Sequence, residues 1–348
     1  MPGNDVNRYE TWELDEMVSS VDPMFSFLLD TFFPGERQFE GAMIEFDVVE
    51  HGRRIAPFVS PGLPGQPTRR PGFRTFQLKP AYLKMSFKVT PNDGFSRRPG
   101  EAYGGTMTQK QRLDLAMAEQ IVAHDEMITN RLEWMASKAL LDGQIVISAP
   151  DYPAVTVNFG RDPNLAMTVG NAWGGGSDTP LADIQTMALR VNASSRGANA
   201  DTVVMTGATY DKAVKNTTFK DMLNMQYNQS PGTKGFELGP RNTRQAEYQG
   251  RLAGRFDVFT YDGYYEDDAG VSTAFMTADK VIVGCRGACE GSKIFGAIQD
   301  LDNGIRPQRH FAKSRSVWDP SAEELLSQSA PVVNLKRPNT IGVLDITP

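Results

Sequence analysis

The sequence predicts an α+β protein organised around one unusually long helix, with extended arms before it and an α/β lobe after it. Three observations carry this. Residues 108–142 contain neither Pro nor Gly and are bracketed by cap signals. Residues 44–48 and 83–89 alternate apolar and polar side chains with a period of two, the mark of half-buried strands. From Thr179 onward, helical and strand patterns alternate.

The helix comes first because the rest hangs from it. Thr108 followed by Gln111 reads as a capping box, and Gly143 stands where a left-handed residue would end the helix. Some 34 residues at ~1.5 Å each make a rod of roughly 51 Å, about three times the length of an ordinary globular helix. Its apolar stripe is Leu113, Met117, Ile121, His124, Ile128, Leu132, Met135 and Ala139. Leu115, Val122, Trp134 and Leu141 lie off it, which predicts cover on more than one side. A coiled coil is the alternative, disfavoured by only about four heptads and a broad apolar arc. The helix reads as a spine across which other elements lie.

Composition bounds the rest. Gly 32 and Pro 22 in 348 residues are about 16% against a usual ~12%, so loops and arms are over-represented. A formal charge of −6 makes no whole-chain case for nucleic-acid binding. The two cysteines, Cys285 and Cys289, argue for a reducing compartment and against a disulfide framework. The start lacks the features of a signal peptide, and no apolar run approaches ~20 residues. The expectation is a soluble protein, made inside the cell and without a membrane partner.

The mild net charge hides an asymmetry. Residues 1–50 carry Arg8 and Arg37 against twelve acids, whereas residues 51–100 carry ten Lys or Arg against Asp93 alone. Adjacent blocks of opposite sign attract, within one chain or between copies. In the acidic block, Asp22 as N-cap, Pro23 at the first turn and Pro34 as terminator frame a short greasy helix. It is either a core helix or an anchor for another subunit. Strands at 44–48 and 83–89, paired antiparallel, would set acids opposite lysines. Between them lie Pro57, Pro61, Pro64, Pro67, Pro71 and Pro80, with Phe58, Phe73, Phe76 and Tyr82 as sticky points. A hairpin arm embracing a neighbour explains so long a loop.

After the spine, residues 144–147 and 154–159 read as a hairpin, and the Gly-rich stretch 170–177 as a flexible hinge. The second lobe follows: a helix from Pro180 to about Asn192, a buried strand at 202–206, a helix at 210–223 and a long irregular loop at 226–245. Strands at 256–261, 274–276 and 280–283 come next, then a tail of mixed strand and loop.

Little of this suggests reactive chemistry. His51, His124 and His310 are scattered, and His124 on the apolar stripe reads as a satisfied core histidine. The Cys285-x3-Cys289 pair lacks further zinc ligands. No nucleotide, zinc-protease or serine-hydrolase motif is present. Asp300-Leu301-Asp302-Asn303-Gly304 departs from a calcium loop at its third ligand position. Glu266-Asp267-Asp268 reads as a solvated hairpin tip. The basic block with its aromatics could hold nucleic acid, though the same residues suit a subunit contact. No catalytic residue, cofactor or metal is expected.

The order of parts resembles the major capsid proteins of tailed phages, and within them the lambda-type major head protein family. The carrying residues include Phe25-Ser26-Phe27-Leu28-Leu29-Asp30-Thr31-Phe32-Phe33-Pro34, Pro57-Phe58-Val59-Ser60-Pro61 and Phe76-Gln77-Leu78-Lys79-Pro80-Ala81-Tyr82-Leu83-Lys84. Gly296-Ala297-Ile298-Gln299-Asp300 and Gln328-Ser329-Ala330-Pro331 follow as late landmarks. The resemblance implies the Hong Kong 97 phage coat fold: an N-arm at 1–40, an extended E-loop at 41–92, a peripheral P domain at 93–177 with the spine at 108–142, an axial A domain at 178–295, and a return to the P domain at 296–348. It places loop 226–245 at the capsomer axis. It implies hexamers and pentamers in an icosahedral shell around double-stranded DNA, with assembly in the bacterial host cytoplasm. A separate scaffolding protein, a portal and a decoration protein are the further partners. Contacts between subunits are expected at Phe25, Phe32 and Phe33, and at Arg53, Arg54, Phe58, Arg69, Arg70, Phe73, Arg74, Lys79, Tyr82 and Lys84. The alternatives are an encapsulin-like nanocompartment that packages an enzyme, and a hydrolase or other enzyme, for which no constellation of residues is at hand.

Overall fold

The computed structural model describes residues 9–21, 24–41, 43–50, 55–56, 58–62, 64, 72–78, 81–97, 107–149, 152–224, 242–243, 246–267 and 270–347. In chain order, helices α1 (Thr11–Ser20) and α2 (Phe27–Phe32) precede strand β1 (Gly35–Phe39) and the hairpin β2 (Ile44–Glu50) and β3 (Gly72–Leu78). Strand β4 (Leu83–Val89), the short helix α3 (Pro91–Phe95) and the spine α4 (Gln109–Asp142) follow, then the hairpin β5 (Gln144–Ala149) and β6 (Tyr152–Asn158). The second lobe takes β7 (Ala166–Thr168), α5 (Pro180–Ser194), β8 (Thr202–Met205), α6 (Gly207–Val214), α7 (Thr217–Asn224), β9 (Asn242–Thr243), β10 (Ala246–Leu252) and β11 (Phe256–Tyr261). A small hairpin, β12 (Tyr264–Glu266) and β13 (Ser272–Ala274), leads to β14 (Lys280–Gly284) and β15 (Gly291–Gly296). The chain closes with β16 (Phe311–Val317), β17 (Ala322–Ser329), β18 (Pro331–Leu335) and β19 (Ile341–Asp345).

The spine is fixed at both ends by side chains. Thr108 accepts from the Gln111 amide, and the Gln111 side chain accepts from the Thr108 N–H at 2.8 Å. At the far end Gly143 turns left-handed at φ 67°, a conformation costly for a residue with a Cβ. The Arg161 guanidinium then donates to the orphan carbonyls of Leu140 and Leu141. The apolar stripe is buried from Met117 to Ala139, but Leu115 and Val122 are exposed, so the N-terminal half of the rod is covered on one side only.

Three apolar cores lie along this frame. Leu14 of α1, Ala312 and Leu325 pack on Met117 and Ile121 near the start of the spine. Phe27, Leu28, Phe32, Ile145, Phe295 and Val333 pack on Ile128, Leu132 and Met135 farther along. The α/β lobe has its own core of α5 and the central strands, with Trp173 sealing one side. Its seven-stranded sheet runs β7-β19-β14-β8-β11-β10-β9. Strand β19 therefore enters this sheet, while β16, β17 and β18 lie in the sheets that flank the spine.

Four expectations are corrected. Strand β4 pairs with β17, not with β2; Lys88 stands opposite Glu324 and Lys84 opposite Gln328. Strand β2 instead pairs antiparallel with β3, which the sequence hid among prolines. The helix expected at 210–223 breaks in two, because Asn216 caps α7 by accepting from the Phe219 N–H while donating to the Asp178 carbonyl. The stretch 170–177 is no free hinge: Trp173 is buried and its indole N–H donates to Asp183 at 2.9 Å. Loop 226–245 lies almost wholly outside the described residues.

Candidate functional site

Helix α2 has six residues, too few to persist unaided. Ser26 precedes it without capping it by a side-chain bond, and Asp22 and Pro23 lie outside the described residues. Its first-turn donors are met from the spine: Glu133 accepts from the N–H groups of Leu28 and Leu29, each at 2.9 Å. The other ligand of this carboxylate is the Tyr261 hydroxyl of β11, also at 2.9 Å. One buried Glu thus ties the N-terminal segment, the spine and the α/β lobe together. Burial pushes its pKa up to about 7, against the pull of these three donors.

This arrangement settles where the N-terminal aromatics lie. Phe32 and Phe33 are fully buried in the chain's own core, and the Cys289 thiol donates to the Phe32 carbonyl. They offer no surface to another subunit; six residues with four buried apolar side chains make a core helix. Gly291 faces them without a Cβ, since any added methyl would overlap the Phe32 carbonyl. Phe25 is half-buried beside the same core.

A second buried polar group joins spine and sheet. His124 Nδ1 shares a 2.8 Å hydrogen bond with the Ser327 hydroxyl of β17. Asp125 accepts from Arg309 at 3.0 Å, and Arg309 also donates to Thr129. His310 lies 3.8 Å from Asp125 with its side chain wholly buried. Burial, then the neighbouring His124 and Arg309, pushes the His310 pKa down to about 4. Burial likewise lowers the pKa of His124 and raises that of Asp125. These bonds tie the spine to the closing strands, and Thr129 and Arg309 also line a cleft beside Ser26 and Lys293.

The expected contact residues on the extended loop separate into four sets. Phe58 is fully exposed at 101%, with Ile55 at 94% beside it. Phe73 and Arg74 stand in β3 opposite Val49 and Val48. Tyr82 donates its hydroxyl to Gln328, and the exposed Lys84 sets its ammonium 5.3 Å from the Tyr82 ring. Arg53, Arg54, Arg69, Arg70 and Lys79 lie outside the described residues.

The remaining sequence candidates have ordinary occupations. Asp300 and Asp302 both pair with Lys313, at 2.7 and 2.9 Å, so an ammonium sits where a calcium loop would hold its ion. Burial raises the pKa of both thiols, Cys289 to about 11, which disfavours their thiolate forms at neutral pH. Asp267 closes the tip between β12 and β13 by accepting from the Val271 N–H. Among the described residues, no three His, Cys, Asp or Glu converge as a metal site, and no helix is long and apolar enough to cross a membrane.

A capped spine, a two-stranded hairpin and an α/β lobe bound to the spine by a buried carboxylate make a mixed α+β fold of the Hong Kong 97 coat type. A crystal structure described as a prophage capsid protein of Escherichia coli CFT073 has the same fold, with a TM-score of 0.75 at 18% identity over 97% of this chain and 99% of that one. The chain belongs to the phage major capsid protein E family, whose model matches residues 10–343. It is 25% identical to the major capsid protein of Escherichia phage lambda over 346 residues, 96% of this chain and 98% of that one. To the major capsid protein of Enterobacteria phage P21 it is 23% identical over 341 residues, 92% and 94% of the two chains. It is a lambda-like phage head protein, a component of the virion capsid and not an enzyme.

Proposed function

We propose that this subunit closes into hexamers and pentamers of an icosahedral shell around double-stranded DNA, with its arms locking neighbours together. One observation carries the reading: β2 and β3 pair with each other and, among the described residues, with no third strand. An isolated two-stranded hairpin is marginal in water. Here it also brackets a segment whose Ile55 and Phe58 are bare. Such an arm gains its stability from a second copy. In this reading residues 1–40 are the N-arm, 41–92 the E-loop, 93–177 the P domain, 178–295 the axial A domain and 296–348 the returning tail. Loop 226–245 points to the capsomer axis. A separate scaffolding protein shapes the shell, a portal occupies one vertex and a decoration protein reinforces the outside.

The charge split supports the same account. Ten basic residues and one acid in 51–100 repel one another in a lone arm and are relieved on an acidic surface. Exposed pairs are worth only ~0.2–1 kcal/mol each, so the effect rests on repetition over a closed shell. Reversing Arg69, Arg70 and Arg74 to Glu is expected to leave the subunit folded and to slow or block shell formation. If the block gripped DNA instead, empty shells would form normally and only genome retention would fall. Counting empty and full particles by electron microscopy separates the two, and normal empty shells overturn the contact reading.

A further inference from the structure

The α/β lobe is electrically polar from one end of its sheet to the other. Strands β7, β19, β8 and β11 all run the same way, and β14 runs against them. The turns 160–165, 195–201, 253–255 and 336–340, which enter the four, therefore lie at one end together with 285–290, which leaves β14. These five turns carry six Lys or Arg and three acids, in a chain whose whole count is 36 against 42. At the opposite end the turns 169–179, 262–263 and 275–279 carry Asp178, Asp262 and Asp279 and no cation.

The acids at the basic end are already engaged. Asp201 accepts from the Arg286 N–H at 3.1 Å and from the Thr202 hydroxyl at 2.8 Å. Glu290 pairs with Lys336 at 2.6 Å, and Asp162 accepts from the Ser194 hydroxyl at 2.9 Å. Asp257, just inside β11, is shared by Arg251 and Arg286 at 3.0 and 2.5 Å. Arg161 is bound to the last carbonyls of the spine. That leaves Arg196 and Arg255, both exposed and neither meeting a carboxylate among the described residues. Arg196 stands at φ 60°, where Gly or Asn is the usual occupant. The Arg255 guanidinium lies 5.0 Å from the Phe256 ring. Arg337, on the turn before β19, donates to the Ser195 carbonyl at 3.4 Å, beside Arg196.

We propose that this end of the α/β lobe, centred on Arg196, Arg255 and Arg337, is the face that touches the phosphate backbone of the enclosed duplex. The inference rests on the shell reading, in which acidic surfaces engage the basic arm and leave the genome to another basic face. Strands ~4.8 Å apart set the turns that enter β19 and β11 about 14 Å from each other. A duplex carries about one charge per 1.7 Å of axis, so a ridge of that width meets several phosphates at once. Arginine donates to phosphate oxygens through a planar fork that lysine lacks. Such contacts position a duplex without reading its bases, as a container for a whole genome requires. The aspartates at the far end repel the same polymer, which gives the lobe one side toward DNA.

The first test needs no shell. Full-length subunit is titrated into a short fluorescein-labelled duplex of random sequence, and anisotropy is read over a range of salt. Saturable binding is expected, with log K falling against log salt at a slope of about −2.7 for three phosphate contacts. Arg196→Ala combined with Arg255→Ala should weaken binding at least tenfold at low salt and bring the slope to about −0.9. Lys110→Ala combined with Lys220→Ala makes the same change of charge elsewhere on the surface and should leave both quantities unchanged. No binding of the duplex, or an equal loss in the two double variants, overturns the assignment. Binding of poly-glutamate in place of the duplex assigns the face to an acidic protein and overturns it as well. Both arginines are exposed, so unchanged thermal melting serves as the control for folding.

The second test uses particles. Phenylglyoxal, which modifies accessible arginines, is applied to filled particles and to DNA-free shells, and the adducts are mapped by mass spectrometry. Arg196 and Arg255 should be protected in the filled particles and reactive in the empty ones; equal labelling overturns the face. If the duplex binds as stated but the protein forms no shells, the shell reading falls and the phosphate face stands. Shells whose DNA leaves both arginines reactive sink the face alone.

Discussion

Replacing Glu133 by Ala removes the acceptor for three donors at once, the N–H groups of Leu28 and Leu29 and the Tyr261 hydroxyl. A buried donor left unpaired costs about 1–3 kcal/mol, so three give roughly 3–9 kcal/mol before any relief. Relief exists, because the carboxylate is itself costly to bury. Its pKa rises from 4.5 to about 7, and at ~1.36 kcal/mol per unit that offsets about 3 kcal/mol above neutral pH. The net expected loss is roughly 0–6 kcal/mol, centred near ~3 kcal/mol, a large share of the ~5–15 kcal/mol that holds an ordinary domain. Helix α2 should detach first, exposing Phe27 and Phe32. The pH dependence has a definite sign. The folded state holds the Glu133 proton more tightly than the unfolded chain, so this contribution is full below about pH 4.5 and lost as pH rises through about 7. Glu133→Gln, which cannot titrate, should remove that slope. Urea unfolding of free subunits at pH 5 and pH 8 reads both effects. An unchanged midpoint in Glu133→Ala, or a wild-type to Gln difference that is the same at both pH values, refutes the reasoning.

Other outcomes follow from the same packing. Ile128→Ala, in the centre of the spine's buried stripe, should cost about 2–5 kcal/mol and give insoluble or unassembled protein; normal particles with unchanged melting contradict it. His310 titrates with the opposite sign to Glu133. Its lowered pKa means the unfolded chain takes the proton first, so stability present above about pH 6.5 should fall toward pH 4, and His310→Gln should lose that component in urea titrations. Trp173→Ala should cost about 3–5 kcal/mol. It should also open residues 170–177 to protease, while the wild-type segment resists cleavage in free subunits as in shells.

Legibility in the sequence followed the range of the interactions. The spine could be read to within a residue because Thr108, Gln111 and Gly143 act on their own neighbours. The partner of β4 could not, since the choice between β2 and β17 is made by contacts more than 200 residues apart. Proline-rich surroundings masked β3, whose backbone, among the described residues, is paired by β2 alone. The Gly-rich run at 170–177 suggested mobility because glycine count is visible and the pocket that swallows Trp173 is not. Glu133 gave no signal at all: a charged residue on a long helix looks solvated until α2 is placed 105 residues away in sequence. Of the expected contact residues, the exposure of Phe58 could be read from its setting in a loop with little to pack on, whereas the burial of Phe32 and Phe33 could not be told from an exposed anchor.

The central claim, that the chain closes with copies of itself into a shell, is tested most directly by negative-stain electron microscopy of the purified protein, alone and co-expressed with the proposed scaffolding protein. The account predicts closed, uniform icosahedral particles. Monodisperse monomers or small oligomers under every such condition would contradict it.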